Sequence, residues 1–597
     1  MSDTTKTIEE EEGEMDLLGN LDIETSKELS VPDELIDQVI GQDKARDVIR
    51  KAARQGRHVL MIGSPGTGKS MLAKSMSELM SSDRFNDVLL YPNDDDETEP
   101  EVKLVPAGQG QDIIEEHEEV EQKAQRRNKI IAGLVGIGIA LYALYTQQVL
   151  FGFVAIAAVF LVYHFVFSGV ETNKPKVLVD NSERETAPFN DATGAHSGAL
   201  LGDVRHDPYQ SGRLSTPTHN RVESGAIHES HDGVLFIDEI NTLDIKDQQK
   251  LMTAIQEGEF SITGQSERSS GSMVQTEPVP CNFVMVAAGN MDAMENMHPA
   301  LRSRLQGYGY EVYMDDTIDD TEENRRKFAQ FIAQEIEKDE NIPHFTKDAM
   351  KEVVLEAKRM SGEKEKLTLK LRKLGGLVRD AGDIATFEDA ELVERDHVLR
   401  AKETSQSIEQ QVVSKRRETK EKYREESDDE TSIGRVNGLA VMGEESGIVL
   451  PIISTVTQAQ GEGRVIATGK LQEIAQEAVQ NVSALIKKVS QRTLDDKDIH
   501  VQFVQTHDGV DGDSASVTVA TSILSSLTGT PINQNVAMTG SLSVKGKVLP
   551  VGGVTHKIEA AAESGIEKVI IPKQNADEVL IESKYEDQIE IVEAEDI

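Results

Sequence analysis

Apolar positions along the chain change period several times, and each change marks an element. The run His58-Val59-Leu60-Met61-Ile62 is continuously apolar after its histidine, as in a strand buried on both faces, and Met71 to Met76 then reads as a helix. Gly233 to Ile237 and Asn282 to Ala288 are two further buried strands, separated by a helical pattern over 243–257. Residues 320–402 are mostly helical in pattern, with Gly375-Gly376 as an interruption. From Arg435 the texture becomes short strands with glycine turns, a helix over 470–490, then strands and helices to 597.

The stretch after about Ser81 departs from this pattern. Asn93 to Glu101 is acidic and of low complexity, and Glu115 to Lys129 reads as a charged helix. Ile130 to Tyr145 is apolar, Thr146-Gln147-Gln148 breaks it, and Val149 to Val170 is apolar again. Neither half holds Lys, Arg, Asp or Glu. The pattern predicts a hairpin of two membrane spans, about 129–146 and 149–169, because a bilayer core takes about 20 apolar residues per helix. Lys123, Arg126, Arg127 and Lys129 before it, and Lys174 and Lys176 after it, put both flanks on the cytoplasmic side.

Gly63-Ser64-Pro65-Gly66-Thr67-Gly68-Lys69-Ser70 sits between a strand and a helix and fits the phosphate-loop pattern at every fixed position. Glycines let backbone N–H groups close round phosphates, and the helix N-terminus adds positive potential. Lys69 is expected to reach the outer phosphates of ATP, and Ser70 to hold Mg²⁺. Asp238, after an apolar strand, is expected to hold Mg²⁺ through water, and Glu239 to polarise the attacking water. Asn290 closes the next strand and is placed to orient that water or to sense the γ-phosphate. Arg302 and Arg304 follow in His298-Pro299-Ala300-Leu301-Arg302-Ser303-Arg304 and could reach a neighbouring subunit's nucleotide. Taken singly, each of these residues also fits a turn, a cap or a surface ion pair.

Composition narrows the possibilities. The 597 residues carry a net charge of −42, which argues against nucleic acid as the main partner, since phosphate backbones are met by clustered Lys and Arg. Such charge suits a salt-rich cytoplasm, where repulsion is screened, so stability is expected to rise in molar KCl if the source is halophilic. The single Cys281 excludes an intrachain disulfide and lies in an apolar run, as a core residue would. Residues 1–30 are acidic and are expected to be disordered, and 403–432 read as a charged linker.

With these residues in series, the chain resembles an AAA+ ATPase: Val39-Ile40-Gly41-Gln42, phosphate loop, Asp-Glu strand, Asn sensor, arginine finger and helical lid. The resemblance implies a hexameric ring that threads polypeptide, a finger at Arg304 rather than Arg302, and a second sensor at Arg372, with Arg379 close by. It also makes the stretch with Leu200, Leu201 and Tyr209 a candidate substrate-gripping loop.

A second constellation lies near the C-terminus. Ser514, in Asp511-Gly512-Asp513-Ser514-Ala515-Ser516, precedes a helical run and could be an N-cap or a nucleophile. Lys557 opens an Ala-rich helix where burial would supply a neutral amine as its base; a surface lysine is the ordinary alternative. The segment Thr539-Gly540-Ser541-Leu542-Ser543, Gly546, Leu549-Pro550, Gly552-Gly553 and Lys557 resembles the proteolytic domain of Lon proteases over most of 435–597. An ATPase interrupted by a membrane hairpin resembles the archaeal B-type in particular. That resemblance implies Ser514 as nucleophile and Lys557 as base, with Asp511 near the pair and Thr539 helping to orient Lys557.

The expected architecture is therefore an α/β AAA+ ATPase over 31–310 with an insertion at about 93–190 holding the transmembrane hairpin, a helical lid over 311–402, and an α+β Lon-type domain over 433–597. The expected function is a membrane-anchored, multi-pass, ATP- and Mg²⁺-dependent serine protease acting on unfolded proteins, membrane proteins among them, with lipid as a contact. A non-proteolytic AAA+ remodeller is the alternative. A DNA-directed ATPase conflicts with the acidic balance.

Overall fold

The computed structural model describes residues 18, 23–80, 85–146, 174–205, 216–264, 274–404, 430–442, 446–459, 464–468, 497–504 and 513–597, apart from positions 94, 97 and 340, and a few single residues elsewhere. The chain divides into two compact units, residues 32–315 and a second that joins 1–31 to 316–597.

In the first unit, helix α1 (Asp43–Gln55) leads into strand β1 (His58–Ile62), and helix α2 (Lys69–Leu79) follows. Strands β2 (Phe189–Asp191), β3 (Val234–Ile237), β4 (Val284–Gly289) and β5 (Gly309–Tyr313) complete a parallel sheet of order β5-β1-β4-β3-β2. Its three central strands, β1, β4 and β3, read as apolar runs because both faces are covered. Val59 and Met61 pack with Ile49, Leu72 and Met76, whereas Leu60 and Ile62 pack with Leu251, Leu301 and Leu305. Cys281 is buried in the second of these cores, and burial pushes its thiol up to about 12, where it is inert.

An antiparallel ribbon of Asn86–Tyr91, Glu101–Pro106 and Lys176–Val179 forms a small second sheet. A helix of 37 residues, Gln109–Tyr145, leaves it. The fully buried Asp87 carboxylate starts that helix by accepting from the N–H groups of Gly108 at 2.8 Å and Gly110 at 3.1 Å.

The expected transmembrane hairpin is corrected here. Among the described residues, no helix is long and apolar enough to cross a membrane. The long helix is charged up to Lys129, so its uncharged part, residues 130–145, falls short of the about 20 residues a span takes. Three of the flanking cations are also engaged with protein: Lys174 pairs with Glu118, Lys123 with Glu119, and Lys176 donates to the Val222 carbonyl at 2.6 Å. Most of the second expected span, 149–169, lies outside the described residues. A multi-pass membrane localisation with lipid as a contact is not supported.

Two smaller expectations also change. Leu200 and Leu201, read as part of a gripping loop, lie in the short helix Ser197–Leu201 and are 0% and 4% exposed in the sheet core. Buried leucines cannot grip a passing chain; Tyr209 lies outside the described residues. The stretch 1–30 is not disordered throughout, because Ser26 exchanges hydrogen bonds with Phe345, both at 2.9 Å.

The second unit opens on four lid helices, α3 (Glu322–Lys338), α4 (Lys347–Ser361), α5 (Leu371–Phe387) and α6 (Arg395–Thr404). Helix α5 runs unbroken through Gly375-Gly376, which was read as an interruption. A Cβ on Gly375 would lie 2.8 Å from Glu335 Oε2, so the bare backbone there admits a neighbouring side chain rather than ending the helix.

Beyond the charged stretch 403–432, largely outside the described residues, comes a mixed sheet. Its strands are β6 (Arg435–Met442), β7 (Ser446–Gln458), β8 (Val465–Thr468), β9 (Lys497–Phe503), β10 (Val536–Met538), β11 (Lys568–Pro572) and β12 (Glu590–Ala594), in the order β8-β9-β7-β6-β10-β11-β12. Helices α7 (Ser516–Thr528) and α8 (Val554–Glu563) pack on it. Alternate residues of β7 serve different cores: Leu450 and Ile452 meet Val519 and Ile523 of α7, and Val449 meets the core of Val554 and Ile558 of α8. The helix expected over 470–490 falls almost wholly outside the described residues.

Candidate functional sites

Register assembles the first site. Ile62 pairs with Gly289 and Ile237 with Ala287, so Gly63, Asn290 and Asp238 all leave the same edge of one parallel sheet. The carboxyl ends of such strands are where α/β sheets bind ligands. Gly63 N–H donates to the Gly289 carbonyl at 3.0 Å, which locks the loop to the neighbouring strand. A Cβ on Gly63 would lie 2.6 Å from that of Met314, and Gly68, at φ 90°, turns the chain into α2; neither place suits a side chain.

Lys69 is 7% exposed, and its amine donates to the carbonyls of Gly63 and Ser64, both at 2.9 Å. The cation is thus held at the loop mouth, where phosphate oxygens could replace the two carbonyls. Ser64, Pro65, Gly66 and Thr67 form the loop itself, with Thr67 Oγ1 bonded to the Ser64 carbonyl at 2.9 Å, and Ser70 is exposed one residue into α2. The donor set fits a nucleoside triphosphate with its divalent cation.

Glu239 is exposed and adopts φ 49°, a left-handed conformation that a non-glycine residue takes at some cost. Its N–H donates to Asp238 Oδ1 at 2.9 Å, which ties the two carboxylate residues together. Asn290 caps the short helix Met291–Glu295, its Oδ1 accepting from Ala293 N–H at 2.8 Å. The cap reading and the sensor reading are therefore compatible, because the amide NH₂ is a separate group.

Arg304 lies on helix Pro299–Tyr308 with its guanidinium 4.3 Å from the Tyr308 ring. It also bears on His58, which burial first, and the Arg304 charge second, lower to about 4. Arg302 lies two residues before it on the same helix. In the lid, Arg379 is committed to Glu335 at 2.6 Å, whereas Arg372 is exposed in the first turn of α5.

The second site lies in the C-terminal sheet. Ser514 precedes α7 in a turn held from below: its carbonyl accepts from Gly540 N–H at 2.8 Å and from Thr539 Oγ1 at 3.3 Å. Ala515, not Ser514, is the helix cap. Thr539 is fully buried, so its bond orients the serine turn; the expectation that it orients Lys557 gains no contact.

Lys557 is 2% exposed in the first turns of α8. Burial pushes its amine down to about 8, against the nearby Asp513 carboxylate, which raises it. No hydrogen bond between Ser514 Oγ and Lys557 Nζ occurs among the described residues. Asp513 connects them: it precedes Ser514 in the chain, acts on Lys557 through its charge, and accepts a short hydrogen bond from Ser541. Asp511, which the sequence put near the pair, lies outside the described residues. Reading the sequence missed Asp513; its signal was only its position before the serine.

Comparison with known proteins matches these parts to families. Residues 407–597 match the Lon protease (S16) C-terminal proteolytic domain, and 344–407 the lid domain of the archaeal LonB AAA+ ATPase. Residues 35–91 match magnesium chelatase subunit ChlI, and 176–301 the sigma-54 interaction domain. The stretch between these last two matches contains the long helix Gln109–Tyr145. Fold and families together define an AAA+ ATPase, which binds nucleotide, fused to a Lon proteolytic domain: an ATP-dependent protease.

Full-length relatives are more specific. The chain is 58% identical to an archaeal Lon protease of Halobacterium salinarum, covering 98% of this chain and 84% of that one. It is 57% identical to one from Archaeoglobus fulgidus (97% and 94% covered) and 54% identical to one from Methanothermobacter thermautotrophicus (96% and 90%). The chain belongs to the archaeal Lon protease family.

Proposed function

We propose that this chain cleaves proteins with a Ser514–Lys557 dyad and uses ATP hydrolysis at the Gly63–Ser70 loop to deliver them. The observation that carries the dyad is the burial of Lys557 beside the residue that precedes Ser514. A buried lysine with its pKa lowered to about 8 offers a neutral amine in quantity from about pH 8 upward, as a base for a serine hydroxyl requires. Ser514 Oγ attacks the peptide carbonyl, its proton passes to Lys557 Nζ, and the same amine returns a proton to the departing amine. The first turn of α7 supplies N–H dipoles toward the developing oxyanion. For this to occur, the serine side chain rotates toward the amine, which the Asp513 carboxylate already attracts.

At the other site, Lys69 leaves its carbonyls for the outer phosphates, Glu239 polarises the attacking water, and Asn290 orients it. Mg²⁺, held by Ser70 and Asp238, would neutralise charge on the phosphate oxygens. Arg304 acts on the nucleotide of a neighbouring copy, which assigns the chain to a ring, a hexamer by family resemblance. Arg372 serves as the second sensor, because Arg379 is engaged by Glu335. In this reading the working units are an ATPase over 31–310, a lid over 311–402 and a proteolytic domain over 433–597.

The test is degradation of a loosely folded protein by the purified chain, with and without ATP–Mg²⁺, beside Ser514→Ala and Lys557→Ala. ATP-stimulated cleavage that both substitutions abolish is the expected result. Cleavage that survives either one overturns the dyad.

A further inference from the structure

A buried ionic chain runs from the lid to the helix that carries Lys557. Glu352 and Glu356 of α4 hold Lys402 of α6, at 3.0 and 2.9 Å. Glu356 also grips Arg359 through both its oxygens, at 2.9 and 3.0 Å. Arg359 Nη1 then reaches both oxygens of Glu559 at 3.2 and 3.1 Å, with Glu582 at 3.8 Å. Glu559 lies on α8 two residues after Lys557, and accepts further from Glu582 N–H at 3.4 Å with His556 at 3.5 Å.

These groups are shielded from water, the side chains of Arg359 and Glu559 being 14% and 11% exposed. Burial opposes the charge on Arg359, but Glu356 and Glu559 more than offset it, and its pKa stays well above the ordinary arginine value. A planar guanidinium with carboxylates on two of its sides fixes direction as well as distance. Replacing such a network by apolar side chains often costs little stability, so stability alone does not account for it.

We propose that Arg359 is a positioning residue for peptide-bond cleavage: by clamping Glu559 it sets the attitude of helix α8, so that the state of the lid governs whether Lys557 meets Ser514. This rests on Lys557 being the base. Among the described residues no hydrogen bond joins Ser514 to Lys557, so the dyad is not closed and the clamp has something to control.

The experiment uses the full chain and a short fluorogenic peptide, which needs no unfolding. In Arg359→Met/Glu559→Met the pair is removed together, and Glu356 keeps Lys402 as partner. The expected result is a melting temperature and ATPase rate near those of the parent, with ATP stimulation of peptide cleavage falling toward one. The loss falls in kcat, about tenfold, with KM little changed. A merely structural role would lower the melting temperature and both activities together. Arg359→Lys, which keeps the charge but not the fork, should retain part of the stimulation. If the double variant does not fold, Glu559→Gln, of the same size, is read by the same ratio. Full stimulation in a folded variant overturns the proposal. Lys557→Ala separates the two ideas: cleavage surviving there sinks the base itself, whereas its loss beside intact stimulation in the clamp variant sinks only the clamp.

Discussion

The two sites of this chain are built in opposite ways. The ATPase site draws on segments far apart in sequence, at 63–70, 238–239 and 290, and a parallel sheet brings them to one edge. Its carboxylates are exposed or half-buried, and its cation rests on backbone carbonyls. The candidate proteolytic site draws on residues 513–557, and among the described residues no backbone carbonyl bonds the buried Lys557 amine. On the proposed reading, one site would work by convergence of solvated groups on a charged ligand, and the other by denying solvent to one group, so that its ordinary pKa no longer applies.

Substitutions can break that contrast. The largest effect is expected from Ser514→Ala: peptide cleavage should fall about 10⁴-fold or more, with ATP hydrolysis unaffected, as measured on both substrates in one preparation. Glu239→Gln should give the mirror image. ATP hydrolysis should fall about 10²-fold, and degradation of folded proteins should stop while short peptides are still cut. Equal losses on folded protein and short peptide would sink the view that ATP hydrolysis, as distinct from ATP binding, serves delivery rather than peptide-bond chemistry.

The pH profile sharpens the comparison further. Peptide cleavage should rise through pH about 8 as Lys557 loses its proton. Asp513 raises that pKa, so Asp513→Asn should move the rising limb to lower pH; a shift the other way refutes its role. The sign for stability follows. The folded-state pKa is below the ordinary lysine value, so the folded chain is penalised for carrying the charge below about pH 8. That penalty is relieved as pH rises from there toward the unfolded value, and Lys557→Met should remove this part of the pH dependence of melting.

The smallest effects belong to the lid. Arg372→Ala should lower ATP hydrolysis several-fold with no change in melting temperature. Arg379→Ala should leave hydrolysis intact and cost about 0.5 kcal/mol of stability, the usual worth of a half-exposed ion pair such as that with Glu335.

Reading the sequence went furthest where chemistry needs a fixed local pattern. The phosphate loop is legible because its glycines and Lys69 are required by contacts within eight residues, and the strands before Asp238 and Asn290 because burial on both faces leaves no polar position. It failed where local pattern and packing part company. Leu200 and Leu201 looked like loop residues among Gly and Pro, yet the sheet core takes them. Gly375 looked like a break, yet the helix continues because Glu335 fills the space beside it. The uncharged run after Lys129 looked like one arm of a membrane hairpin, yet its described helix is continuous with a charged half and falls short of a span.

By itself the sequence determined the ATPase motif, the order of elements and the pairing of a motor with a proteolytic domain, because each is encoded in period and spacing. Only tertiary structure decided which titratable groups lose water. Lys557 and Arg359 are ordinary helix cations in sequence, and nothing within a few residues of either says that it is buried. The burial of Lys557 and the Glu559 carboxylate that meets Arg359 come from elements distant in the chain, although Glu356 already lies three residues from Arg359 on the same helix. Desolvation depends on the sum of all neighbours, so it is settled only when the fold is complete.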